Sequence, residues 1–282
     1  MAKSSEFQVV APGLYKESSG EFVFDPRKVA LEGTKRGIAI LKETVKDRKS
    51  KFNAGFIKNL NKQVLYYMPE VAGKYRQDED VRVGNFRLVK GRELTDRMFL
   101  FGNWLEDQVE VLKDKPEDLV GALKLACEAH YGLVSPRLLH PFYDGNGRVA
   151  RLLANAILLV NAHESMFYGR TILPVPLVRQ LPANGKDDYT KVLEEVDDTR
   201  ILNPLDVYTA SLWLKNIRQL VSAFNESKDR AKMIEADESL IRRFENRARI
   251  LIEFIEQQRN FNKSNWHVVP DYFESRYLNS HG

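Results

Sequence analysis

Twelve residues, His140-Pro-Phe-Tyr-Asp-Gly-Asn-Gly-Arg-Val-Ala-Arg151, set the tightest limit on how this chain can fold. Gly145 and Gly147 bracket an asparagine and let the backbone turn sharply, bringing its N–H groups close to an anion. Straight after them, Arg-Val-Ala-Arg-Leu-Leu-Ala-Asn-Ala-Ile-Leu-Leu reads as a helix. The fold must therefore place a turn at a helix N-terminus, where the dipole and the unpaired amides favour phosphate. Arg148 and Arg151 are three apart and can face one ligand from the same side of that helix. Asp144 is a hard oxygen donor suited to Mg²⁺ shared with phosphates. His140 has an unperturbed pKa that suits proton abstraction near neutral pH.

The run resembles the signature of the Fic family, His-x-Phe-x-(Asp/Glu)-Gly-Asn-Gly-Arg-x-x-Arg, at every fixed position. The resemblance implies a mainly α fold, a Fic-type helical bundle with a small β-hairpin flap. It also implies transfer of AMP from ATP to a Ser, Thr or Tyr hydroxyl of a target protein. On that reading His140 is the catalytic base and Asp144 holds Mg²⁺. Gly145, Asn146, Gly147 and Arg148 cradle the phosphates, Arg151 reaches the γ-phosphate, and Phe142 points into the core. Doc toxins carry Lys-Arg where this chain has Gly147-Arg148, so nucleotidyl transfer is favoured over kinase chemistry. Relatives that move UMP or phosphocholine share the motif. The partners implied are ATP and a protein target, with the enzyme itself among the candidate targets and a homo-oligomer as a further option.

Upstream, Gly73-Lys-Tyr-Arg76 precedes Val81-Arg82-Val83-Gly84, a pattern of short strands broken at Gly84-Asn85. The family carries a similar stretch before its flap, which aligns the target by backbone pairing. Val81, Arg82, Val83 and Gly84 are the expected docking residues. Many family members restrain themselves with a glutamate that pairs with the last arginine of the motif and competes with the γ-phosphate. Lys28-Val-Ala-Leu-Glu32-Gly33 offers Glu32 for this role, in the N-terminal position, with Lys28 where Ser or Thr is expected. Glu226 and Glu245 are alternatives, as is a separate antitoxin chain. An intramolecular glutamate of this kind also supports removal of AMP. Asp188-Tyr189 resembles the start of a helix that closes the nucleotide pocket, and core packing is the preferred role for Tyr189.

Composition narrows the remaining classes. A formal net charge of +4 is too mild to argue for nucleic acid by itself. No apolar stretch approaches the roughly 20 residues of a membrane span. Cys127 is the single cysteine, which excludes an intrachain disulfide and fits the cytoplasm. His130 reads as a structural hydrogen-bond donor rather than a metal ligand.

Along the chain, residues 1–70 read as an N-terminal region with the candidate inhibitory helix. Residues 71–227 form the core with flap and catalytic loop, and 228–282 a charged helical tail. Helical periodicity recurs at 27–47, 52–66, 94–113, 117–133, 147–161, 187–197 and 204–225. Residues 7–24 suggest short strands or loop, and 171–178 an extended segment. The tail places Leu240, Ile241, Phe244, Ala248, Leu251, Ile252 and Ile255 on one stripe of a long helix, suited to core packing or self-association. A nucleotide-sensing regulator whose basic tail binds DNA or a partner is the competing reading. It has no use for His140.

Overall fold

The computed structural model describes residues 8–11, 14–16, 22–47, 49–77, 82–83, 86–162, 166–167, 170–171, 188–226, 234–259 and 267–269. In chain order its helices are α1 (Pro26–Lys46), α2 (Ala54–Val64), α3 (Gly91–Lys113) and α4 (Leu119–Val134). There follow α5 (Asn146–Ala162), α6 (Asp188–Thr199), α7 (Asn203–Glu226) and α8 (Ile234–Arg259). The fold is mainly α-helical, as expected.

Helix α5 organises the rest. Every residue from Leu152 to Val160 is buried, so this helix is apolar nearly all round and sits at the centre. Helices α1, α2, α3 and α4 surround it, α7 and α8 pack beyond α4, and α6 packs on α7. Two glycines of α1 set how closely it can approach. A Cβ on Gly33 would lie 2.2 Å from the carbonyl oxygen of Val64, and one on Gly37 would meet Leu152 at 2.5 Å. The helix starts are set by side-chain caps: Asp25 accepts from the amides of Arg27 and Lys28, Asn53 from Gly55 and Phe56, and Asp118 from Gly121. Pro26 follows Asp25 at the first turn, where its missing N–H costs nothing.

Beyond the flap hairpin and the short strands that residues 7–24 suggest, the structure holds one more hairpin that the sequence did not signal. Strands β1 (Gln8–Ala11), β2 (Leu14–Lys16) and β3 (Phe22–Phe24) form an antiparallel sheet in sequence order. Strands β4 (Arg82–Val83) and β5 (Phe86–Arg87) pair in the region expected to be the flap. Strands β6 (Met166–Phe167) and β7 (Arg170–Thr171) add a second two-stranded hairpin. The N-terminal strands carry β-branched and aromatic residues, which suit a pleated surface. Beyond Thr171, the expected extended segment lies outside the described residues.

Helix α8 buries Phe244, Leu251, Phe254 and Ile255 in the common core, with Ala248 and Ile252 packed at its edge. The short segment 267–269 then returns to the start of α7. Val269 donates to the Arg200 carbonyl, and Leu202 to that of His267. The His267 imidazole spans two carboxylates, Asp206 at 2.7 Å and Glu128 at 2.6 Å. Burial would pull this imidazole down, but hydrogen bonds and charge from Asp206 and Glu128 outweigh it and push its pKa up to about 9. No helix among the described residues is long and apolar enough to cross a membrane.

Candidate active site

The loop between α4 and α5 is held open by its own side chains. Asn146, almost fully buried, accepts from the Phe142 amide at 3.0 Å and donates to the Phe142 carbonyl at 2.8 Å. Both ends of its side chain are thus committed to the loop, and what Asn146 presents to a ligand is its backbone amide at the first turn of α5. Gly145 has φ of +81°, a conformation that favours glycine. A side chain there would also crowd Asn61 and Val64. Asn61, fully buried on α2, donates to the Asp144 carbonyl at 3.0 Å and accepts from the Gly73 amide at 2.8 Å. The sequence reading missed Asn61. Its signal was a polar residue on the apolar face that Ile57, Leu60 and Val64 define.

His140 stands at the mouth of this loop. Its Nδ1 lies 3.0 Å from the carbonyl of Val134. A carbonyl only accepts, so Nδ1 carries the proton and Nε2 keeps its lone pair. Burial lowers the His140 pKa, the Val134 hydrogen bond opposes that, the charge of Arg76 lowers it further, and Asp144 acts weakly upward. The net direction keeps the imidazole neutral at pH 7, the state a base requires.

A cleft of about 360 Å³ opens beside His140. Tyr143, Asp144, Gly145, Asn146, Gly147, Arg148, Arg151 and Tyr189 line it together with Val134 and Leu193. The structure therefore brings every expected residue of the 140–151 motif to one place. Arg148 pairs through Nη2 with Asp144 at 2.9 Å. Its Nη1 is buried and finds no hydrogen-bond partner among the described residues, so this guanidinium keeps an unsatisfied donor beside the cleft that it lines. The Arg151 guanidinium lies 5.8 Å from the centre of the Tyr189 ring. Tyr189 is part of the cleft wall rather than purely core, and its hydroxyl sits 2.6 Å from Nε2 of His130. Burial drives the His130 pKa down to about 3, with the Arg151 charge adding to it, so His130 is a neutral structural partner. A larger groove, about 510 Å³, lies between α7 and α8. It carries Leu214, Ile252 and Ile255 but no histidine or glycine turn, so the smaller cleft is the chemical site.

The Asp144 carboxylate is more than half exposed at the rim and accepts from the Gly145 amide at 2.5 Å. Among the described residues no group of three or more His, Cys, Asp or Glu side chains could hold a metal by itself. One hard carboxylate nonetheless fits Mg²⁺, which keeps several waters and shares its coordination with substrate phosphates.

Two expectations fare differently. In the hairpin expected to be the flap, Arg82 pairs with Arg87 and Val83 with Phe86 across β4 and β5, whereas Val81 and Gly84 lie outside the described residues. Glu32 is not brought to Arg151. Its carboxylate faces Lys35 at 3.9 Å and Arg36 at 3.7 Å on its own helix, and Arg36 in turn lies over the Tyr66 ring. The neighbouring Gly33 that suggested a motif is explained by the close crossing of α1 over Val64. Of Glu226, only the backbone at the end of α7 is described.

Residues 51–158 match the Fic/DOC family. Protein adenylyltransferase fic-1 of Caenorhabditis elegans is 32% identical over 161 residues, covering 57% of this chain and 27% of that protein. Protein adenylyltransferase Fic of Nematostella vectensis is 32% identical over 140 residues, covering 48% of this chain and 30% of the relative. The chain thus spans less than a third of the length of these curated relatives. A solved Fic domain containing signaling protein from Bacteroides thetaiotaomicron aligns with 22% identity over 83% of this chain and 74% of that one, at a TM-score of 0.45.

Proposed function

We propose that the Fic/DOC-family domain in this chain transfers AMP from ATP to a hydroxyl side chain of a target protein, with His140 as the general base. The observation that carries the reading is one cleft. It joins a neutral His140, whose Nδ1 is tied to Val134 so that Nε2 keeps its lone pair, to the N-terminus of α5 and to Arg148, whose guanidinium keeps a buried donor unsatisfied among the described residues. The adenylyltransferase names of the relatives support the same reading.

The target oxygen attacks the α-phosphorus in line, its proton passes to His140 Nε2, and the bond to pyrophosphate breaks. The products are the AMP-modified side chain and pyrophosphate. Negative charge grows on the phosphate oxygens, where the α5 amides and Arg148 meet it with little reorganisation. Arg151, further along the same helix face, suits the terminal phosphate. Asp144 is the residue that would hold Mg²⁺, which neutralises phosphate charge when bound. The β4–β5 hairpin offers its backbone to align the target segment. A single buried cysteine is compatible with a cytoplasmic setting. Inhibition by Glu32 is not part of the proposal, because its carboxylate is engaged on α1.

The test is intact-mass analysis after incubation with ATP and Mg²⁺, alone and with a cell extract scanned for AMP-modified proteins. Wild-type protein is expected to add AMP to itself or to a target. His140→Ala should lose about 10²–10⁴-fold in rate while still binding ATP. Wild-type protein that binds ATP yet moves no AMP, or an unimpaired His140→Ala, would overturn it.

A further inference from the structure

One buried guanidinium sits behind the catalytic loop with no role assigned so far. Arg76 is 1% exposed. Its Nε donates to the His140 carbonyl at 2.9 Å, and its Nη2 donates to the carbonyl of Val89. Its own amide donates to the Pro141 carbonyl at 2.9 Å, next to an antiparallel bridge between Tyr75 and Phe142. Residue 76 lies just before the β4–β5 hairpin and residue 89 just after it. The same side chain therefore closes the base of the hairpin and grips the backbone of His140. The fit is tight: a Cβ on Gly91 would lie 2.8 Å from the Arg76 carbonyl and 2.6 Å from that of Gln77.

His140 needs such a grip. Its φ is +39°, a left-handed conformation that costs a residue with a side chain about 1–3 kcal/mol. That conformation persists only where the surroundings impose it.

We propose that Arg76 is a positioning residue for His140, its guanidinium fixing the backbone of the base and coupling it to both ends of the hairpin expected to align the target. The proposal rests on the AMP-transfer reading for its kinetic consequences. Its geometric content stands without that reading. A single ammonium cannot make the same fork, because Lys has one donor nitrogen where Arg offers several in a plane. The charge also reaches the imidazole. Around His140 stand Arg76 behind the loop and Tyr143, Asp144, Arg148, Arg151 and Tyr189 along the cleft. Burial is the largest cause of its lowered pKa, and Arg76 is a further cause acting downward.

Arg76→Gln and Arg76→Lys separate the two contributions in the full chain. NMR titration of His140, assigned by its loss in His140→Ala, reads the charge without any need for activity. Pyrophosphate release at saturating ATP, and ATP affinity by calorimetry, read the positioning. Arg76→Gln should move the His140 titration, and the acid limb of the rate profile, to higher pH. Arg76→Lys should leave both in place yet lower kcat by about tenfold or more, with ATP affinity unchanged. A folded Arg76→Gln with an unmoved titration, or an Arg76→Lys with wild-type kcat, would overturn the proposal. Should Arg76→Gln not fold, Arg76→Lys decides alone. A wild-type enzyme that moves no AMP would sink the functional reading, while the NMR titration would still decide for or against the Arg76 coupling.

Discussion

Asn61→Ala tests how the nucleotide loop is held. In the wild type the Asn61 side chain bridges two backbone groups of separate segments, the Gly73 N–H at 2.8 Å and the Asp144 C=O at 3.0 Å. Alanine strands both in a fully buried position. Each buried polar group left unpaired costs about 1–3 kcal/mol, so the pair gives roughly 2–6 kcal/mol. A water entering the space recovers part of that, leaving an expected loss of about 2–4 kcal/mol. Against a total stability of about 5–15 kcal/mol this is large but survivable. At about 2–4 °C per kcal/mol for a chain of this size, the melting midpoint should fall by roughly 5–15 °C. Activity should suffer in the folded fraction as well, because the Asp144 carbonyl is released beside Gly145 and the first turn of α5. Misplacement of this order costs up to about a hundredfold in rate. Calorimetry and AMP transfer measured well below the midpoint read the two effects separately. A midpoint within about 1 °C of wild type, with transfer unchanged, would refute the tethering argument.

Two further outcomes are expected. His267 has a folded pKa of about 9 against an ordinary 6.5, so the stability it contributes is fully present below about pH 6.5 and fades as pH rises through about 9. Denaturant midpoints between pH 6 and 9 should therefore decline in wild type and lose that component in His267→Gln; equal slopes would show that the Asp206–His267–Glu128 clasp does not titrate as argued. Glu32→Gln should leave AMP transfer within about twofold of wild type, since its carboxylate makes only long ion pairs on α1, of a kind worth about 0–1 kcal/mol. A strong rise in transfer would restore Glu32 as an inhibitor and mean that α1 leaves its present packing.

What could be read from the sequence divides by range of interaction. The helices were legible because each carries its own period, and α1, α2 and α4 a capping side chain as well; Asp25-Pro26 marks the start of α1 without outside help. The 140–151 motif was legible because its turn residues and charges are contiguous. Its supports were not. Asn61 and Arg76 act across 83 and 64 residues of chain; a polar residue on an apolar helix face marks Asn61 as unusual, but nothing local names the distant backbone that either one binds. Glu32-Gly33 carries two readings at once. The pattern suggests an ion pair with a distant arginine; in this structure the glycine meets a steric demand from Val64 and the glutamate faces Lys35 and Arg36 of its own helix. Asn146 shows the same ambiguity at close range. An amide in a phosphate loop suggests a ligand contact, yet its two polar ends are matched by the two polar groups of Phe142.

These supports bear on when the loop takes its shape. The strained φ of His140 costs about 1–3 kcal/mol. Five hydrogen bonds hold the surrounding backbone: Nδ1 to Val134, two from Arg76 to residues 140 and 141, and two between Asn146 and Phe142. At a net 0.5–1.5 kcal/mol each they contribute roughly 2.5–7.5 kcal/mol, enough to offset the strain without a ligand. The loop is therefore preorganised by α4, by the segment before the β4–β5 hairpin and by the first turn of α5. Nucleotide binding energy is not needed to order it, so damage to these supports should fall on kcat more than on the affinity for ATP.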